Sequence, residues 1–555
     1  MVVSGRRLAW GVIVAVCAMS AARAQSAPEL VLHNGKIVTL DATNQIAQAV
    51  AIRDGEVLAV GTSAEVRALA GPATRFIDLH GRTVVPGLAD GHLHDAGGGP
   101  GLDLSTTRTM AQLLAVIGAA ARRAHPGDVI YTNSDWHEAQ LREQRLPFRV
   151  DLDRVAPQTP VVVVRGGHEL ILNSAALARW QITKQTPVPP GGQISRDAAG
   201  ELNGELVDRA MALVERPSAE PMTIESLARQ FATLNAAGLT SIRIPGGSPQ
   251  QYRMLQEMQR RGMLTLRVNF LFRLTDASSA DVVRAQVASW GASPLEGDAW
   301  LRVGGVKLGV DGGFEGGWMR EPYAEPMGRG GSYYGLQTTP DESFITAVRT
   351  LNELGWRAAT HAVGDAAIDL VLRGYAAAHA DHSLAGKRWV VEHAFIARPE
   401  QIHQMKELQL AVSAQNHLWL AGPVLRKYWG ERRAELTTPM RSFLDSGLVV
   451  GSGTDSPVVP YPPLKTLYHF ATRRTISGGV MGSDQKISRL EALRAATWGN
   501  AYLTMEESVK GTIEPGRLAD MVVLSADILT CSEPALEGVA AVLTIVAGKV
   551  VWRAH

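Results

Sequence analysis

The chain has 555 residues, 46% of them apolar and 20% charged, with a formal net charge of +1. That composition describes a globular protein with room for one large catalytic domain and a smaller companion, and excludes a disordered or fibrous chain. The near-neutral balance supplies no broad basic field, so nucleic acid is excluded as a partner.

At the start, Arg6 and Arg7 precede the apolar run 8–22, and Ala22-Arg23-Ala24 carries the small-x-small pattern of a signal-peptidase site. The run is shorter than the roughly 17–25 residues a spanning helix needs, so residues 1–24 read as an export signal and no stable membrane insertion is expected. The expected location is periplasmic or secreted, by the general or the twin-arginine route. Of the two cysteines, Cys17 leaves with this segment and Cys531 remains, so no intramolecular disulfide is expected.

"ELVLHNGKIVTL", "AVAIRDGEVLAVG" and "TRFIDLHGRTVV" follow as short apolar runs divided by Asn-Gly, Asp-Gly and His-Gly pairs, a hairpin signature. "RLADMVVLSAD" and "AVLTIVAGKVVWRA" near the other end share that texture. Residues 25–85 and 506–555 are therefore expected to form one β-sandwich from both chain ends.

Between them, over 86–505, buried apolar runs alternate with helical stretches such as "TIESLARQFATLNAAG" and "ESFITAVRTLNELG", each ending at a glycine placed to cap a helix. Eight such runs occur: the leading run 84–94, then "LTSIRI", "LRVNFLF", "LRVGGVKL", "RAATHA", "WVVEHA", "LAVSAQ" and "LVVGSGTD". The expected class is α/β, a (β/α)8 TIM barrel. The stretch of about 95–225 is too long for a simple crossover and reads as an insertion after the first barrel strand, where insertions shape substrate pockets.

His92 and His94 stand two apart at the end of the first run, a spacing that sends two strand side chains to one side. Lys307 lies in the fourth run, while His361, His393 and Asp455 end the fifth, sixth and eighth. Barrel active sites are built from those strand ends, and imidazoles with a carboxylate suit zinc or a similar metal. A backbone-bonded core histidine is the competing reading for each residue alone. Their shared placement favours a metal site.

The phrases "VVPGLADGHLH", "VKL" with "DGG", "THAVGD", "VVEHA" and "GSGTDSPV" together resemble the amidohydrolase superfamily of metal-dependent hydrolases, in its amidohydrolase 3 (YtcJ-like) branch. "RDAAGELNGEL" and "KGTIEPGRLADMVVL" extend the resemblance from about residue 29 to the end. It implies one divalent metal on His92, His94 and Asp455, and a second on His361 and His393. Lys307, carbamylated by CO2, would bridge the two; the expected content is one or two ions per chain, zinc by donor type. It also implies a metal-activated hydroxide attacking an amide-like, non-peptide C–N bond of a small molecule, with Asp455 as general base and then acid. Members of the branch hydrolyse N-substituted formamides and other amides. Substrate-binding candidates are Trp136, His137, His168 and Asn173 in the insertion and His417 after the seventh run. An ester or lactone substrate, and a non-catalytic binding protein of the same fold, are the alternatives, and assembly into a homo-oligomer stays open.

Overall fold

A computed structural model describes residues 27–215, 222–324 and 331–554. The expected export signal lies outside the described residues. Eight parallel strands occur in chain order around one sheet: β1 (Leu88–Asp90), β2 (Leu239–Gly247), β3 (Arg267–Arg273), β4 (Leu301–Gly309), β5 (Ala358–Ala362), β6 (Val390–His393), β7 (Ala411–Gln415) and β8 (Val450–Gly453). All eight apolar runs of the sequence contribute one barrel strand each, as a (β/α)8 barrel requires.

Side-chain alternation sorts the barrel into an outside and an inside. Val268, Phe270 and Phe272 of β3 join the large outer core, where Phe272 stacks on Trp290 at 4.7 Å. Leu271, one residue out of phase, packs inside with Ala359, Val390, Ala411 and Leu503 and fills the barrel floor. Polar residues therefore collect above that floor, toward the carboxyl ends of the strands.

Loops complete the barrel where β8 meets β1. Gly91 N–H donates to Ser452 O at 2.8 Å, and the Asn500 amide donates to Ala89 O and Ser452 O at 2.7 and 2.8 Å. Helix Ile224–Ala236 is N-capped by Thr223 and gives way to Gly238 at φ 90°. Helix Asp341–Glu353 gives way to Gly355 at φ 77°, a left-handed position where glycine has no Cβ penalty.

The sandwich is built from both chain ends. Strand Thr83–Pro86 pairs with Lys36–Val38 on one side and antiparallel with Met521–Leu524 on the other. Leu30, Leu32, Val50 and Ile52 of the four-stranded sheet pack against Ile37, Val84, Met521 and Ile545 of the six-stranded one.

The leading apolar run differs from the expectation of a single strand. Its first part belongs to the sandwich and only Leu88–Asp90 to the barrel, because Pro86 has no N–H to continue a ladder. At Gly87 the chain passes so close to Thr240 that a Cβ would lie 2.2 Å from its hydroxyl. His92 and His94 accordingly follow β1 on a loop.

Between β1 and helix Ile224–Ala236 stands a five-stranded sheet of Ile130–Tyr131, Val161–Arg165, Glu169–Leu172, Leu202–Asp208 and Gly192–Arg196. Among the described residues no helix is long and apolar enough to cross a membrane.

Arg267 at the base of β3 makes a two-pronged ion pair with Asp520 of the sandwich, at 2.6 and 2.9 Å, and both are buried. Asp520→Ala strands a buried guanidinium, so the expected loss is about 3–5 kcal/mol. Urea unfolding of the variant against the parent protein measures it; a change below about 1 kcal/mol would mean that water reaches Arg267.

Candidate metal centre

The loops after β1 and β8 are bound to each other before any side chain meets. Asp455 N–H donates to His92 O at 2.7 Å and His94 N–H to Ser456 O at 3.0 Å. Asp90, buried at the end of β1, accepts from His92 N–H and from the Thr454 hydroxyl. Burial pushes its carboxyl up to about 7 against those bonds.

This joining brings His92, His94 and Asp455 together, one donor atom of each lying within 4.8 Å of the others. Asp455 Oδ1 is 3.3 Å from His92 Nε2 and 3.1 Å from His94 Nε2, and its Oδ2 is 3.2 Å from His417 Nε2. Burial acts to raise the Asp455 carboxyl, but His92, His417 and His94 outweigh it and hold the group well below the usual carboxylate range. The group stays an anion. Asp455 has φ 59° and His393 φ 70°, a left-handed conformation that costs a non-glycine residue about 1–3 kcal/mol and occurs at functional sites.

Three of the imidazoles are oriented by a partner on their other side. His92 Nδ1 donates to Glu392 Oε2 at 2.6 Å, while Arg243 donates to Glu392 Oε1 at 2.6 Å. His393 Nδ1 donates to Gln415 Oε1 at 2.7 Å, and His361 Nε2 to Gly312 O at 3.1 Å. These bonds leave His393 Nε2 and His361 Nδ1 with free lone pairs and turn His92 Nε2 toward Asp455, the arrangement of metal-ligating histidine. Burial drives His361 and His393 well below the ordinary imidazole range, so both are neutral. Lys307 Nζ lies 3.3 Å from His92 Nε2. Burial lowers this amine to about 8. Two nitrogens and a carboxylate oxygen in one cluster, with two further neutral imidazoles beside it, fit a divalent ion of the zinc type.

A cavity of about 1010 Å³ opens over these residues. His168 reaches it from the insertion, its ring 5.5 Å from that of His361 and its Nδ1 bonded to Asp208 at 2.6 Å. Burial alone would lower His168, but Asp208 outweighs it and raises the group. His168 thus presents a proton to the cavity. His417, first residue of helix His417–Trp429 and not part of β7, holds Asp455 Oδ2.

Three insertion residues expected at substrate are placed elsewhere. Trp136 is buried in the insertion core with its indole N–H on Val164 O at 2.7 Å. Asn173 caps helix Ser174–Arg179 and bonds Val161, Ala156 and Thr159. His137 lies buried against Arg165 Nη2 at 2.8 Å, and burial with that charge pulls it down to about 3. Residues that sequence reasoning passed over include Glu392, Arg243, Asp311 and Gln415. For Arg243, Glu392 and Gln415 the signal was a charged or amide side chain in a run otherwise largely apolar; Asp311 follows the fourth run.

Glu392→Gln removes the charge that fixes His92 Nδ1–H and pairs Arg243. The expected outcome is a 10–100-fold weaker hold on the metal, the scale for a lost outer partner. Metal competition with a chromophoric chelator, alongside circular dichroism to show retained fold, measures this; unchanged affinity would free His92 from dependence on Glu392.

Known proteins share this fold and much of this sequence. The amidohydrolase family profile covers residues 75–552. The N-substituted formamide deformylase of Arthrobacter pascens is 31% identical over 543 residues, spanning 94% of this chain and 97% of that protein. Among solved structures, an uncharacterised metal-dependent hydrolase of Pyrococcus horikoshii OT3 superposes with a TM-score of 0.65 at 23% identity, over 91% of this chain and 99% of that one. Atrazine chlorohydrolase TrzN of Arthrobacter aurescens TC1, in complex with zinc, superposes at 0.51 with 16% identity, over 94% of each chain. With its barrel, its loop-borne histidine pair and a profile match over most of its length, the chain belongs to the amidohydrolase family of metal-dependent hydrolases.

Proposed function

We propose that the protein hydrolyses an amide-like, non-peptide C–N bond of a small molecule. The observation that carries this reading is the convergence of His92, His94 and Asp455 beneath an open cavity. The similarity to a protein named N-substituted formamide deformylase supports a C–N bond.

His92, His94 and Asp455 would hold a first ion, and His361, His393 and Lys307 a second. A divalent metal held there, zinc by this donor set, would supply Lewis acidity toward a carbonyl and a water. Asp455, kept ionised by its three histidines, takes the proton of the attacking water and returns it to the leaving nitrogen. His168, kept protonated by Asp208, offers an N–H to the carbonyl oxygen. At about 8, Lys307 supplies neutral amine under mildly basic conditions. That lone pair would add to the carbon of CO2 with loss of one N–H proton, giving a carbamate whose oxygens would serve as metal donors. Export would place the activity outside the cytoplasm.

Elemental analysis of the purified protein, with Lys307→Ala and Asp455→Asn beside it, tests the reading together with a panel of N-substituted formamides, N-acyl amines and lactams. Bound zinc is expected, with less in the lysine variant, and free amine released from at least one amide. Asp455→Asn is expected to lower kcat by about a hundredfold or more. Bound metal with turnover of esters or lactones alone would overturn the C–N assignment; absence of metal would overturn the hydrolase.

A further inference from the structure

At the end of β3, Arg273 lies across from Lys307 of β4 in the sheet register. Leu271 packs into the barrel interior, so Arg273, two residues on, projects to the same side above it, in the cavity mouth. The six preceding residues of β3 are buried and Arg273 is open. On its flank stands Gly246, with φ 94°: a Cβ there would lie 3.1 Å from Arg273 Cδ and 3.3 Å from Lys307 Cγ. The missing side chain lets the two cationic stems rise together.

Among the described residues the Arg273 side chain has no hydrogen bond or ion pair. The carboxylates that line the same cavity are engaged elsewhere. Asp455 faces three histidines, Asp208 holds His168, Asp311 accepts from the N–H groups of Trp318, Val363 and Gly364, and Asp276 accepts from Ser278 N–H. Arg273 lines the same cavity as Lys307 and Asp455, its stem beside that of Lys307 around Gly246. A planar donor fork at a half-desolvated site with no anion of its own is built for one from outside.

We propose that Arg273 selects the substrate by pairing with an anionic group, a carboxylate by fork geometry, on the arm of the amide that is not cleaved. The inference rests on the C–N hydrolase reading and narrows it to N-acyl compounds bearing a carboxylate, such as N-acyl amino acids.

Two formamides that differ only in the carboxylate, N-formylphenylalanine and N-formyl-2-phenylethylamine, test this on the full-length metal-loaded protein. The parent enzyme is expected to favour the first by about tenfold to a hundredfold in kcat/KM, the range of a charge-assisted pair. In Arg273→Gln that preference collapses toward one through a higher KM, and Arg273→Lys, which keeps charge but loses the fork, falls between. Metal content of both variants is expected to match the parent. A preference that survives Arg273→Gln, or no preference in the parent, overturns the proposal, as does metal lost with the arginine, which would tie it to the Lys307 carbamate. If the parent cleaves neither formamide, the hydrolase reading fails on these substrates while calorimetric titration with N-acetylphenylalanine still decides. Binding by the parent and not by Arg273→Gln upholds the anion site, and equal binding or none overturns it.

Discussion

One buried chain of charge, Arg243 to Glu392 to His92, sets the geometry on which the centre depends. Both oxygens of Glu392 are spent, one on each partner, and Arg243 also donates to Gly91 O beside the histidine it serves. A single guanidinium thereby positions the carboxylate and the backbone of the loop that the carboxylate must reach. Placing such a pair inside a barrel costs desolvation that packing alone does not repay. What it gives in exchange is orientation: Glu392 is held well below the usual carboxylate range by Arg243, His92 and Lys307 against its burial, so it accepts from His92 Nδ1 and turns Nε2 toward Asp455.

The same logic divides the cavity's histidines into two kinds. His361 and His393 have neutral partners, a carbonyl and an amide, and burial leaves them neutral with a lone pair turned inward. His168 has a carboxylate of its own and is kept protonated. Identical side chains are thus tuned in opposite directions, lowered at His361 and His393 and raised at His168, and the choice lies in the neighbour.

The barrel was legible in the sequence because strands buried on both faces read as continuous Val, Ile and Leu runs, and eight of them alternate with helices that end at glycine. The histidines were legible because each closes such a run. Arg243 in "LTSIRI" and Glu392 in "VVEHA" were not, since periodicity marks which side of a strand a residue occupies and says nothing of the partner across a barrel. Trp136 and Asn173 show the opposite failure: a polar residue in a pocket-forming insertion was assigned to substrate, whereas the capping preference of asparagine ahead of "SAALAR" already offered a structural use. The division of the leading run at Pro86 and Gly87 was visible as chemistry, but its meaning, a passage from one sheet to another, depends on Asp520 and Thr240 far along the chain.

That passage has a temporal side. Asn500 reaches Ala89 across 411 positions, and strand Thr83–Pro86 waits for Met521–Leu524 before its sheet is complete. Contacts so distant in sequence form late, because loop closure must precede any reward. His92 and His94 emerge early in synthesis with no Asp455 to face. On the proposed reading, tight capture of an ion would be reserved for a chain whose eighth barrel strand has docked, and a polypeptide that ends before Asp455 would compete poorly for metal with the finished protein.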